Sequence, residues 1–191
     1  VYYYNVEKNT SIPLCQNKGK YYQLALDKEG KQAAFVADLS PKNDRIRNYQ
    51  LRYWKSGEDS SRVKLENGND FFGKNWNLSQ NGKVYFSENS ERLFFGTAPM
   101  PLLPDTSLLP EEIVNVEIWH YQNARLHTQQ NAELKRDQKK SYAAVWDIAA
   151  DRLFQLGAET IPFVRLADKG NSDWALGLSY LPYQQLISWE G

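Results

Sequence analysis

The chain has 191 residues, and its 23 Lys and Arg residues balance its 23 Asp and Glu residues, so the formal net charge is zero. That balance argues against a nucleic-acid binder, which usually carries a basic surface. Cys15 is the only cysteine, which excludes an intrachain disulfide and a cysteine-based metal cluster. No apolar run approaches the ~20 residues of a membrane-spanning helix. Because the sequence opens on Val1-Tyr2-Tyr3 without an initiator methionine, we expect an excised or processed fragment.

Residues 1–14 show the first pattern, an aromatic strand, a polar turn at Asn9-Thr10-Ser11 and a second strand that ends in Leu. The same pattern returns at 51–65 and at 143–156. Alternating apolar and polar residues on either side of a short polar segment are typical of a β-hairpin. The sequence therefore predicts three copies of one hairpin.

A second hairpin lies between these copies, at 24–38 and again at 84–98, and the two stretches align without a gap. Equivalent positions include Leu24 and Val84, Asp27 and Ser87, Gly30 and Ser90, and Phe35 and Phe95. The Asp/Ser pair is expected to open the turn, because a short side-chain oxygen can bond the backbone two residues on. The Gly/Ser pair stands where a positive φ is easiest to place. A third, degraded copy runs from Val164 through Gly170 to Leu178.

Two hairpins that alternate along the chain give units of four antiparallel strands, and radial repetition of such units is the signature of a β-propeller. We therefore predict an all-β fold, a partial β-propeller of about three blades' worth of four-stranded antiparallel sheets, with one mixed, partly helical insertion. The predicted parts of this 1–191 fragment are an outer half-blade at 1–14, a blade at 21–65, a blade at 83–156 with the insertion at 98–140, and an inner half-blade at 158–191.

Between the predicted units, aromatic residues are expected to anchor the connections: Phe71, Phe72 and Trp76 in the first connection, and Trp174, Tyr180, Tyr183 and Trp189 in the last unit. Asn81-Gly82 is predicted to form a tight turn.

In the insertion, four prolines between 99 and 110 favour an extended path. Residues 111–119 alternate as a strand does, and 123–140 predicts a surface helix with a thin apolar stripe.

The sequence offers no catalytic motif. No Gly-x-Ser-x-Gly nucleophile elbow and no dinucleotide fingerprint are present. His120 and His127 are the only histidines, too few for a metal site without further ligands, so we predict no metal and no cofactor. The run Lys135, Arg136, Lys139 and Lys140 is most simply a solvated helix face.

Glu111 and Glu112 are the one pair of candidate binding residues. Adjacent carboxylates in a propeller insertion can hold a cationic group, such as the free amino terminus of a peptide, through charge-assisted hydrogen bonds. The alternative is that Pro110-Glu111-Glu112 simply begins a helical element, since proline and acidic residues favour the first turn. Both interpretations remain open at this stage.

Three stretches carry a family resemblance: 86–99 with its Phe-Gly-Thr-Ala-Pro sequence, 111–120 and 141–146. They resemble the amino-terminal propeller of bacterial exported serine peptidases of the prolyl oligopeptidase family, which includes dipeptidyl and tripeptidyl aminopeptidases. The resemblance implies a non-catalytic propeller that caps an α/β-hydrolase domain and filters or anchors peptide substrates, in the periplasm or cell envelope. It also implies that Glu111-Glu112 binds the substrate's amino terminus, although Leu108-Leu109-Pro110 replaces the aromatic residues that usually precede the pair.

Two hypotheses follow from the sequence. In the first, the chain is the propeller segment of such a peptidase, does not hydrolyse peptides by itself, and needs further blades and a hydrolase domain as partners. In the second, it is a stand-alone propeller binding or scaffold module of the TolB type. In either case the lone half-blades leave unpaired sheet edges. Two copies are then expected to form a homodimer of about six blades by blade completion, unless the segment stays an open partial propeller.

Overall fold

The computed structural model of the chain describes residues 1–103, 120 and 122–190, with side chains described as far as 188. The fold is mostly β, with several antiparallel sheets, one of them curled as a half-barrel, and the described residues do not form a complete propeller. The predicted predominance of antiparallel β-structure is therefore confirmed, and the propeller stays a prediction. No described helix has the length and apolar character needed to cross a membrane.

The described strands form four antiparallel sheets that follow one another along the chain. The first sheet holds β1 (Tyr2–Asn5) and β2 (Thr10–Pro13), and the second holds β3 (Lys20–Leu26), β4 (Gln32–Asp38), β5 (Tyr49–Lys55) and β6 (Arg62–Glu66). The third sheet holds β7 (Trp76–Leu78), β8 (Tyr85–Phe86), β9 (Arg92–Pro99), β10 (Tyr142–Asp147) and β11 (Arg152–Gln155), and the fourth holds β12 (Phe163–Leu166) and β13 (Ala175–Leu178). Two helices, α1 (His127–Asp137) and α2 (Gln184–Glu190), and short 3₁₀ turns at Asp70–Phe72, Asp168–Gly170 and Leu181–Tyr183 complete the described elements.

The predicted repeat of turns is confirmed, but each side-chain oxygen accepts from the backbone five residues on and not two residues on. The Oδ1 atom of Asp27 accepts the backbone N–H of Gln32 at 2.9 Å, and the Oγ atom of Ser87 accepts that of Arg92 at 3.0 Å. Gly30 and Ser90 occupy the equivalent positive-φ position, at 69° and 61°. Local side-chain chemistry thus sets both hairpins in the same way.

Several details of the prediction are wrong, among them the tight turn at Asn81-Gly82, which lies one residue earlier, at Gln80 and Asn81. Thr10 and Ser11 belong to β2, so the first turn lies at residues 6–9 instead of 9–11. Trp174, Tyr180 and Tyr183 do not act as anchors, because they remain exposed beside a sheet that, within the described chain, has only two strands, and the side chain of Trp189 lies outside the described residues. The last predicted unit also contains α2, a helix that the sequence analysis did not predict.

The four sheets stack face to face in chain order. We call the face toward the preceding sheet the upstream face and the opposite one the downstream face. In β4, Ala33 and Phe35 lie on the upstream face and pack with the first sheet, while Ala34 and Val36 lie on the downstream face and pack with the third. The downstream face of the third sheet contacts the fourth, where Phe94 lies beside Gly170.

Trp54 and Trp146 show that the stacking repeats. They occupy equivalent positions, since Trp54 pairs with Ala33 of β4 and Trp146 with Leu93 of β9. Each indole lies on an upstream face and meets a tyrosine of the preceding sheet. Ring centroids are 4.5 Å apart for Tyr3 and Trp54, and 4.9 Å apart for Tyr53 and Trp146. An equivalent Tyr–Trp pair therefore joins the first sheet to the second and the second to the third, with interplanar angles of 36° and 87°.

A second repeated contact links the sheets at their turns. In three successive pairs of sheets, a side chain of the earlier sheet donates to the carbonyl of the positive-φ turn residue of the next. The donors and acceptors are Tyr3 and Gly30 at 2.9 Å, Gln32 and Ser90 at 2.9 Å, and Arg92 and Gly170 at 3.3 Å. We call these three hydrogen bonds the turn latches. They fix the angle between neighbouring sheets at one end of the strands, the end that carries these turns.

The third latch is the strongest because Arg92 is charged. Its guanidinium also donates to the carbonyls of Asn171 and Ser172, at 3.0 and 2.6 Å, and pairs with the carboxylate of Asp173. Hydrogen bonds from an ionised donor each contribute about 1.5–3 kcal/mol. Arg92 therefore holds the loop between β12 and β13 against the third sheet, together with the backbone N–H groups of Glu88 and Asn89, which donate to the loop at 3.4 and 2.9 Å.

We expect Arg92→Met to loosen the fourth sheet by about 2–3 kcal/mol, because an apolar side chain of similar length cannot satisfy the loop carbonyls. Amide hydrogen exchange in β12 and β13 should accelerate, while exchange in β4 and β5 stays unchanged. Lys31→Met is the control, since Lys31 lies in the equivalent region of the second sheet and pairs with the exposed Glu29. Equal protection of β12 and β13 in both variants would contradict the latch.

Candidate functional site

The predicted binding pair, Glu111 and Glu112, lies outside the described residues, as does the predicted strand at 111–119. The structure describes the two ends of the insertion, which leave β9 at Pro99 and return to β10 at Tyr142. The site is therefore built from these ends and from the elements next to them.

A cleft of about 640 Å³ lies between the two ends of the insertion and the loop that joins β4 to β5, residues 39–48. This loop and the insertion connect equivalent strands of neighbouring sheets, so the stacking brings them side by side. The cleft opens at the other end of the strands, opposite the turn latches. Its lining includes Arg45, Arg47, Tyr49, Asn77, Gln80, Pro101, Leu102, Asp137, Lys140, Tyr142 and Glu159.

One wall of the cleft, loop 39–48, is held by its own polar side chains. The buried carboxylate of Asp38 accepts the backbone N–H of Ser40 at 3.1 Å and lies 3.8 Å from the Nε atom of Arg47. The hydroxyl of Ser40 accepts the N–H of Asn48 at 2.7 Å. Arg47 also donates to the carbonyls of Pro41 and Lys42, at 2.8 and 3.1 Å. The loop is thus a built structure, positioned by rigid strands.

The floor of the cleft joins the second and third sheets. Asn67 donates to the carbonyl of Arg47 at 2.8 Å and accepts the N–H of Leu78 at 3.1 Å, which links the loop to β7. The hydroxyl of Tyr49 donates to the side chain of Gln80 at 2.5 Å. These bonds fix the position of loop 39–48 relative to the third sheet.

Two phenols lie at the cleft, and both stay protonated at neutral pH. Burial, together with the negative charge of Asp38, raises the pKa of Tyr49 to about 12. Burial also raises the pKa of Tyr142, with smaller contributions from Glu159 and Asp137. Neutral phenols combine an apolar ring with a hydroxyl that donates or accepts, which suits contacts to a peptide backbone.

The other wall is formed by the end of α1, which has no buried residue and no side-chain cap at its first turn. Arg125, just before the helix, donates to Glu133 and Asp137 at 2.7 and 2.6 Å, and Arg136 pairs with Glu133 at 2.6 Å. The hydrogen bond to Asp137 is the main cause that raises the pKa of Arg125. The surface helix predicted at 123–140 is confirmed over its central part, and this ion-pair network was not predicted.

The remaining predicted residues do not converge on the cleft as a chemical site. Lys135 and Lys139 are exposed, as expected of a solvated face, whereas the ammonium of Lys140 lies 5.6 Å from the ring centroid of Tyr142. His127 contacts Asn131 at 3.3 Å within α1. Among the described residues, no group of three or more His, Cys, Asp or Glu side chains lies close enough to hold a metal ion.

Sequence reasoning missed the contribution of the second sheet to this site. The 39–48 loop carries Asp44, Arg45 and Arg47 on a polar background, and this loop is longer than the turns at the other end of the hairpins. The greater length of the loops at one end of the repeated hairpins could have indicated the binding site. Binding residues concentrate on loops that a rigid scaffold positions.

The comparisons with known proteins leave the family open. No protein family matches the chain, and a search of curated proteins finds no significant relative.

Proposed function

We propose that the chain is a non-catalytic propeller segment of an exported serine peptidase of the prolyl oligopeptidase family, and that it gates or anchors peptide substrates for an α/β-hydrolase domain. The observation that carries this proposal is the repeated packing of sheets in chain order, with equivalent Tyr–Trp contacts and three turn latches. Sheets that stack through contacts at equivalent positions are the building principle of a propeller. The sequence resemblance supplies the family and the compartment, the periplasm or cell envelope.

The peptide site in this proposal is the cleft between loop 39–48 and the insertion. Its charges are mixed, with Arg45 and Lys140 against Asp137 and Glu159. A mixed lining suits a zwitterionic or extended peptide better than a polyanion. Glu111 and Glu112 belong to the segment that connects the two described ends of the cleft wall, and they are proposed to bind the ammonium group of the peptide.

The peptide site can be tested by fluorescence anisotropy with two labelled tripeptides of equal sequence, one with a free amino terminus and one acetylated. We expect the free peptide to bind at least tenfold more tightly, and the E111Q/E112Q double variant to lose that preference. Glu29→Gln is the matched control, because Glu29 is exposed in a turn at the end of the strands that lies away from the cleft. Equal affinity of the wild-type chain for both peptides would reject the site.

The family can be tested independently by sequencing the native reading frame past Gly191. A strand–Gly-x-Ser-x-Gly–helix segment followed by Asp and then His would support the peptidase. A frame that ends after further blades would instead favour the stand-alone binding or scaffold propeller. For the 191-residue chain itself, we expect no peptide hydrolysis that serine-directed inhibitors block, since the sequence holds no triad.

A further inference from the structure

The two ends of the stack expose apolar side chains at positions that are buried elsewhere in the repeat. On the fourth sheet, the register of β12 and β13 places Leu166 opposite Ala175, as Leu26 lies opposite Ala33 in the second sheet. Leu176 and Leu178 are therefore equivalent to Ala34 and Val36, which are buried against the third sheet. Yet Leu176 is 70% exposed and Leu178 is 47% exposed.

The opposite end of the stack exposes the matching surface. On the upstream face of β3, Leu24 and Leu26 are 65% and 59% exposed. Their equivalents in the third sheet are Val84, which is buried, and Phe86, which packs into the core between the second and third sheets. Leu24 and Leu26 are thus exposed on the second sheet. The equivalent residues of the third sheet, Val84 and Phe86, are covered by the downstream face of the second sheet.

The first sheet shows the same mismatch on its upstream face. Tyr4 is equivalent to Trp54 and Trp146, because it follows Tyr3 as these follow Tyr53 and Val145. Both tryptophans are at most 2% exposed, whereas Tyr4 is 53% exposed. The next residue on this face, Val6, is 83% exposed. An aromatic position that the repeat buries twice is left without a covering sheet in the described chain.

A groove marks the place that this surface fits. Between the outer strands of the third sheet and the fourth sheet lies a cavity of about 420 Å³, lined by apolar groups that include Phe94, Val145, Phe154 and Trp174. Val145 is equivalent to Tyr3 and Tyr53, the residues that cover Trp54 and Trp146. Within the described chain, β13 pairs only with β12 and β1 pairs only with β2, so both strands have an open edge beside these surfaces.

We propose that a second copy of this chain fills the groove, with its β1 pairing along β13 to complete a hybrid four-stranded sheet. The interface continues contacts that the chain already makes twice internally. Equivalence with β4 and β5 sets the register: Leu176 lies opposite Tyr3 of the second copy, and Ala175 lies opposite Tyr4 of the second copy. Phe163, Leu176 and Leu178 then cover Leu24 and Leu26 of the second copy.

The contact joins different surfaces of the two copies, so it is heterologous, and it closes when two copies meet head to tail twice. Each copy supplies two complete sheets, the second and the third. The two-stranded first and fourth sheets of both copies combine into two hybrid sheets. The assembly pairs the open edges of β1 and β13, which removes a known cause of aggregation at these two strands. This inference needs only the described sheets and does not depend on the peptidase assignment.

Light scattering at micromolar concentration tests the assembly. We expect twice the 22.1 kDa chain mass for the unmodified chain. Leu176→Glu should give single-chain mass without loss of fold, because that side chain is exposed in the single copy. Leu102→Glu is the control, since Leu102 is 98% exposed outside the interface, and it should stay dimeric. A monomeric unmodified chain, or a mass that grows continuously with concentration, would overturn the proposal.

A disulfide tests the register. In the variant Tyr4→Cys/Ala175→Cys the two cysteines lie on the first and fourth sheets, which the second and third sheets separate within one copy. Oxidation should therefore produce a covalent dimer, while Tyr2→Cys/Ala175→Cys, displaced by two residues, should cross-link at least tenfold more slowly. Equal cross-linking of the two pairs, or none in the first, would overturn the hybrid sheet.

Discussion

Replacing Gly96 with alanine is expected to destabilise the chain by about 3 kcal/mol or more, the upper range for overpacking a core. Gly96 in β9 faces Gly82 so closely that a Cβ atom on Gly96 would lie 2.3 Å from the Cα atom of Gly82. The obstacle is backbone, which cannot rotate away as a side chain does. The backbone path that joins β7 to β8 passes across β9 at this point, so the third sheet must distort to admit a methyl group.

Urea denaturation followed by circular dichroism measures this effect, with Gly57→Ala as the control. Gly57 has φ of 98°, and a Cβ atom added there would meet nothing within 4 Å, so alanine costs only the strain of a positive φ, about 1–2 kcal/mol. We expect Gly82→Ala to resemble Gly96→Ala, because its Cβ atom would lie 2.2 Å from the Cα atom of Gly96. A loss at Gly96 no larger than that at Gly57 would contradict a rigid crossing.

This crossing also shows where sequence reasoning reached its limit. Asn81-Gly82 was predicted as a tight turn, and the turn lies one residue earlier, at Gln80 and Asn81. Gly82 does not have a positive φ, so its role is the close approach to Gly96. A dipeptide pattern reports local conformation, whereas a contact between residues 14 positions apart depends on how the sheet folds back.

The hairpins were predictable because their determinants are local. Asp27 and Ser87 bond the backbone within their own turns, and Gly30 and Ser90 adopt the same positive φ, so a gapless alignment was enough to find them. The turn latches were not predictable in this way. Gln32 and Arg92 are different residue types at equivalent positions. They have in common only that each donates to the carbonyl of the positive-φ turn residue in the next sheet.

The candidate site divides along the same line. Composition predicted a surface helix in the insertion, and α1 is present, but the sequence did not indicate that Arg125 holds it through Glu133 and Asp137. The cleft itself depends on the stacking of two sheets, which places loop 39–48 beside the insertion. Glu111 and Glu112 stay a prediction that the peptide-binding experiment must test.

Trp146→Ala is expected to cost about 3–5 kcal/mol, as is usual for removing a fully buried aromatic side chain. The indole is 2% exposed and stands edge-on against Tyr53, with ring centroids 4.9 Å apart and an interplanar angle of 87°. The ammonium of Lys64 lies 4.5 Å from its ring centroid. Removing the ring therefore opens a cavity between the second and third sheets, and we expect these sheets to unfold together at a lower urea concentration.

A matched control and a conservative variant separate packing from hydrogen bonding. Trp174→Ala, in the Leu176→Glu background that holds the chain monomeric, should change stability by less than about 0.5 kcal/mol, because Trp174 is 81% exposed. Trp146→Phe keeps most of the apolar contact and loses the 2.8 Å hydrogen bond from Nε1 to Asp151. The Asp151 carboxylate is 69% exposed, so water replaces that donor at little cost. Phenylalanine should therefore retain more than half of the stability that alanine loses. Equal losses in the two variants would mean that this hydrogen bond within the third sheet, and not the ring packed on Tyr53, supplies the stability.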